Sequence, residues 1–70
     1  MTHYTYTIED INETLKTATN KKDAIEAAKS ICDRRRCNIY VYREDQFGAI
    51  SSIGHAEYVG YLKEVHFYND

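Results

Sequence analysis

The most regular pattern in the chain lies between residues 20 and 36. Ala24, Ile25, Ala28, Ile31 and Cys32 recur at the i, i+3, i+4, i+7 spacing of one helical face, while Lys22, Glu26, Lys29 and Asp33 fill the other. Asn20 is a good N-cap residue, and Asp23 falls in the first turn, at the positive end of the helix dipole. The spacing predicts a helix over Lys21–Arg35 that covers an apolar surface with one side. Arg34, Arg35 and Arg36 fall at its C-terminal end, where cations complement the exposed carbonyls, so the plain reading of this run is helix termination.

After the helix the period changes from 3.6 to 2. Cys37, Ile39 and Val41 alternate with Asn38, Tyr40 and Tyr42, which predicts a strand with an aliphatic side and a tyrosine side. A charged turn ending at Gly48 follows, and residues 49–53 return as a second strand before Gly54, giving an antiparallel hairpin. At the N-terminus, Tyr4, Tyr6 and Ile8 alternate with Thr5 and Thr7, the pattern of a first strand. Residues 14–19 read either as a strand or as part of a helix opening near Thr7. The strand is preferred, because threonines lower helix propensity and a turn at residues 10–13 gives the first strand a neighbour. At the C-terminal end, Val59, Tyr61, Val65 and Phe67 share a face if residues 58–68 form one strand bent at Gly60. A short helix over residues 54–62 is the competing reading.

These elements predict an α+β fold: ββαββ with a further C-terminal strand, a small antiparallel β-sheet packed on one face by a single α-helix. With no proline, repeat or linker-like stretch, residues 1–70 read as one domain. The helix and the Ile39/Val41 face form the expected core. The other face carries Tyr40 and Tyr42, with Tyr4 and Tyr6 expected beside them. An uncovered aromatic surface of this kind marks an interaction site.

Composition narrows the function classes. A net charge of −2 lacks the positive excess of a general nucleic-acid binder, and it is too small to make the whole chain a mimic of a phosphate backbone. No apolar run reaches the ~18 residues of a membrane span, and the stretch from Met1 to Thr5 lacks the basic and apolar regions of a signal peptide. A cytoplasmic protein is expected, with Cys32 and Cys37 as packing thiols. These two cysteines straddle the helix end, and His3, His55 and His66 are scattered, so no metal-ligand spacing is present and no metal or cofactor is expected. Nothing in the sequence brings a histidine to either thiol, and the glycines form no phosphate loop. The chain reads as a non-enzyme.

One combination favours nucleic acid: Arg34, Arg35, Arg36 and Arg43 lie close in sequence to Tyr40 and Tyr42, and arginine with stacking aromatics suits single strands. The acids Glu44 and Asp45 beside Arg43 oppose it. In its general style, tiny, tyrosine-rich and acidic with no catalytic motif, the chain resembles the accessory proteins carried by phages and mobile elements. That resemblance implies a protein partner, a host complex such as defence machinery, blocked in the manner of an anti-CRISPR protein. The leading expectation is a binding module that occludes a larger partner through Tyr4, Tyr6, Tyr40, Tyr42, Arg35 and Arg43. A small nucleic-acid-binding regulator is the alternative. A homodimer is also expected, since a one-helix sheet leaves a face or an edge uncovered.

Overall fold

The computed structural model describes residues 3–70; Met1 and Thr2, which open the stretch read for a signal peptide, lie outside the described residues. The chain runs β1 (Thr5–Glu9), β2 (Thr14–Ala18), α1 (Lys21–Arg35), β3 (Ile39–Glu44), β4 (Ile50–Val59) and β5 (Glu64–Asn69). The strands form one antiparallel sheet in the order β2-β1-β3-β4-β5, packed against α1. This is the expected α+β architecture, with β2 in place of the alternative helix.

The ends of α1 follow from local chemistry. Asn20 is extended and its side chain accepts from the Asp23 backbone N–H at 2.8 Å, while its amide donates to the Asp23 carboxylate at 2.9 Å. At the other end Arg36 takes the left-handed conformation, φ 57°, and its N–H donates to the Cys32 carbonyl at 2.7 Å. Ala24, Ala28, Ile31 and Cys32 are the buried face of α1. They meet Tyr6 and Ile8 of β1, Ile39 and Val41 of β3, and Ala56 of β4. Ile8, Ile39 and Val41 are fully enclosed, and each such aliphatic side chain contributes about 1.5–3 kcal/mol by leaving water.

Two corrections concern the C-terminal third. β4 does not stop before Gly54 but runs ten residues to Val59, and β5 is a separate strand. Gly54 is a buried position inside β4, where the pairing with β3 shifts register, and Gly60 begins the β4–β5 turn. The competing helix over residues 54–62 does not form. Because the turn interrupts the alternation, Val65 and Phe67 pack on the core together with Tyr58, whereas Val59 pairs with Glu64 on the opposite side and Tyr61 stands exposed in the turn.

The β3–β4 turn is built on Asp45, whose carboxylate accepts the N–H groups of Phe47 at 2.8 Å and Ala49 at 2.9 Å. Gly48 supplies the positive φ of 86° that closes it.

Candidate interaction surface

Alternation along each strand sends one set of side chains to α1 and the other to the face that no element among the described residues covers. On β3, Ile39 and Val41 go inward, so Tyr40 and Tyr42 go outward and are half-buried by their neighbours. Register then builds a row across three strands. Tyr40 lies opposite His55, and His55 lies opposite Tyr68. Their rings follow one another at 5.9 Å from Tyr40 to His55, 5.5 Å from His55 to Tyr68, and 6.3 Å from Tyr68 to His66, the last two pairs stacked. Tyr68 is 44% exposed, which leaves much of its ring free for a partner.

Carboxylates accompany this row. His55 Nε2 lies 3.2 Å from Glu57, and His66 Nε2 lies 2.8 Å from Glu64. Glu9, opposite Tyr40, accepts the Thr7 hydroxyl at 3.0 Å. Glu44 also points outward, two residues beyond Tyr42. His55, His66, Tyr68 and these acids were not among the expected site residues. For His55 and Glu57 the signal is the period-2 run His55, Glu57, Val59, hidden by ending the strand at Gly54, and for Glu64, His66 and Tyr68 it is their alternation with Val65 and Phe67.

The expected site is divided by the sheet. Tyr6 lies opposite Arg43, in phase with the inward Val41, and is only 7% exposed; it is a core residue. Tyr4 packs against the same core, with the Arg43 guanidinium 4.4 Å from its ring centroid. Tyr4, Tyr6 and Arg43 are therefore on the helix side, away from Tyr40 and Tyr42. The arginine run is likewise engaged: Arg36 covers the Tyr58 ring at 3.9 Å, and Arg35 pairs with Asp10 at 3.1 Å.

Asp10 is the hub of the β1–β2 turn. Its carboxylate accepts the backbone N–H groups of Asn12 and Glu13 at 2.7 and 2.9 Å, which hold its pKa below the usual carboxylate range, with Arg35 adding a smaller pull. A depressed carboxylate stabilises the fold above its ordinary pKa and loses that contribution as pH falls through the lowered value. Asp10→Ala should therefore melt below wild type at about pH 6, and the gap should be narrower at about pH 3, below the ordinary carboxylate pKa. Thermal melts of both proteins at the two pH values check this, and a gap independent of pH would contradict it.

Beside Asp10 an open depression of about 380 Å³ is lined by Ile11, Asn12, Cys37, Asn38 and Tyr40. Cys37 is exposed, while burial first, and then nearby Cys37, Asp33 and Glu57, push the Cys32 thiol up. A thiol held protonated is a poor nucleophile. Among the described residues no three His, Cys, Asp or Glu side chains are grouped to hold a metal ion, and no helix is long and apolar enough to cross a membrane. Comparison with protein-family models, curated proteins and solved structures finds no match, so the functional reading stands on this geometry.

Proposed function

We propose that this protein is a non-enzymatic, cytoplasmic binding module that docks through the open face of its sheet and inhibits or modulates a larger protein by covering part of its surface. The mode of action is that of phage and mobile-element proteins directed against host defence machinery, anti-CRISPR proteins among them. The observation that carries this reading is the uncovered row Tyr40–His55–Tyr68–His66 with Tyr42 beside it. Tyrosine joins a large apolar area to a hydroxyl and dominates interface energies out of proportion to its number. The nucleic-acid alternative loses its main support, because Arg43 and Tyr42 leave opposite faces of β3 and Arg35 and Arg36 are held by Asp10 and Tyr58.

The test is capture from cells of the native host with wild type, Tyr40→Ala and Arg34→Ala as baits, beside a gel-shift assay against mixed nucleic acids at low salt. A protein retained by wild type and Arg34→Ala but lost by Tyr40→Ala supports the reading. A nucleic-acid shift without such a protein replaces it by the alternative.

Self-association belongs to the same proposal. The sheet has two free edges, and Lys16 on β2 disfavours strand pairing there, which leaves β5 as the edge a second copy would extend. Light scattering at high micromolar concentration should report about twice the 8.2 kDa of the chain, and a monomer would refute the dimer.

A further inference from the structure

We infer that the partner surface seated on the open face is basic and arginine-rich. The inference rests on the docking reading above and supplies its chemistry. Glu9, Glu44, Glu57 and Glu64 all leave the sheet on the uncovered side, by their register with Tyr40, Thr5, His66 and Val59. No lysine or arginine of any strand joins them, for Arg43 is in register with core Tyr6 and Lys16 with core Ile8. With the histidines neutral, this one face carries a formal −4 in a chain whose total is −2. Most of the cations are on the other side, where α1 and its cap residue hold Lys21, Lys22, Lys29, Arg34, Arg35 and Arg36 against Asp23, Glu26 and Asp33, while Lys63 stands in the β4–β5 turn beside Glu64. The charge is segregated by layer, a distribution that the net value conceals.

Segregation of this kind orients a partner and speeds its approach. The interleaving adds a chemical preference. Rings and carboxylates lie within two residues of each other along β4 and β5, as with His55 and Glu57 or with Glu64, His66 and Tyr68. A guanidinium can lie flat on an aromatic ring while its N–H fork reaches a carboxylate, which an ammonium does less well. The chain itself places guanidinium groups over Tyr4 and Tyr58 on its other side. A phosphate backbone meets repulsion at the open face, and so does the open face of a second copy, which confines self-association to the edge.

The experiment is residue-resolved NMR titration of the whole chain with an oligoarginine peptide, an oligoglutamate peptide and a neutral glycine-serine peptide. Oligoarginine should shift resonances of Tyr40, Tyr42, His55, Glu57, His66 and Tyr68, more weakly as salt is raised. The double variant Glu57→Gln, Glu64→Gln should bind it roughly fivefold less tightly while keeping its melting temperature. Shifts centred on Asp23, Glu26 and Asp33, or undiminished binding by the folded double variant, overturn the inference. Oligoglutamate or the neutral peptide occupying the open face instead overturns the basic partner and leaves the docking reading in place. The same holds if no peptide touches the face while Tyr40→Ala still loses the native partner. A native partner retained by Tyr40→Ala removes the docking reading itself.

Discussion

Replacing Gly54 by alanine is expected to destabilise the protein by about 3 kcal/mol or more, from a disfavoured backbone conformation together with overpacking. Gly54 has φ +154°, a region L side chains rarely adopt, and a Cβ there would stand 2.1 Å from the Tyr68 carbonyl oxygen and 3.0 Å from the Phe67 ring. The carbonyl cannot swing aside without disturbing β5, which pairs with β4 from Gly54 opposite Asn69 through Val59 opposite Glu64. The position is also where β4 takes an extra residue against β3, so that Val41 faces Gly54 and Tyr42 faces Ser52. A domain of this size commands only about 4–10 kcal/mol in total, so the loss is a large share of it. Urea denaturation should show a much lower midpoint, and an unchanged midpoint would mean that the β4 bulge is not built as described. Gly60→Ala is the matched control: a Cβ there meets nothing within 4 Å, and its midpoint should stay close to wild type.

Ile39→Ala should cost about 2–5 kcal/mol through the cavity it leaves. Ile39 is fully buried on β3, the central strand, between the inward side chains of α1 and Ala56 of β4. A central strand with sheet on both sides cannot close over the gap as an edge strand can. The same denaturation series measures it, and partner binding by the fraction that remains folded should match wild type. A folded Ile39→Ala protein that fails to bind would contradict the division between a core face and a docking face of β3.

The split of β3 into a core side and an open side was readable in the strand itself, where aliphatic and tyrosine positions alternate without interruption. The boundaries of α1 were readable too, because Asn20 and the arginine run mark them chemically. The pairing of strands was not. Tyr4 and Tyr6 alternate as cleanly as Tyr40 and Tyr42, but which face they join depends on whether Tyr6 lies opposite Tyr42 or opposite Arg43, and a one-residue slip exchanges every side chain between faces. Glycine misled at the C-terminal end for a related reason. Within an alternating run a glycine marks a bulge or a turn equally well, and Gly54 is the first while Gly60 is the second. Exchanging those roles put Val59 and Tyr61 in phase with Val65 and Phe67 and hid the histidines and Tyr68 of the open face. Charge segregation was hidden with them, since it exists only once every strand has a face.

The most direct measurement of the central claim, that the open sheet face is the docking surface, is affinity for the captured partner together with thermal melting of Tyr40→Ala, Tyr42→Ala and Arg34→Ala. Both tyrosine variants should keep a melting temperature near that of wild type and lose roughly 2 kcal/mol or more of binding free energy, whereas Arg34→Ala should change neither. If Tyr40→Ala and Tyr42→Ala unfold the chain, or fold and bind as wild type does, the open face is not the docking surface.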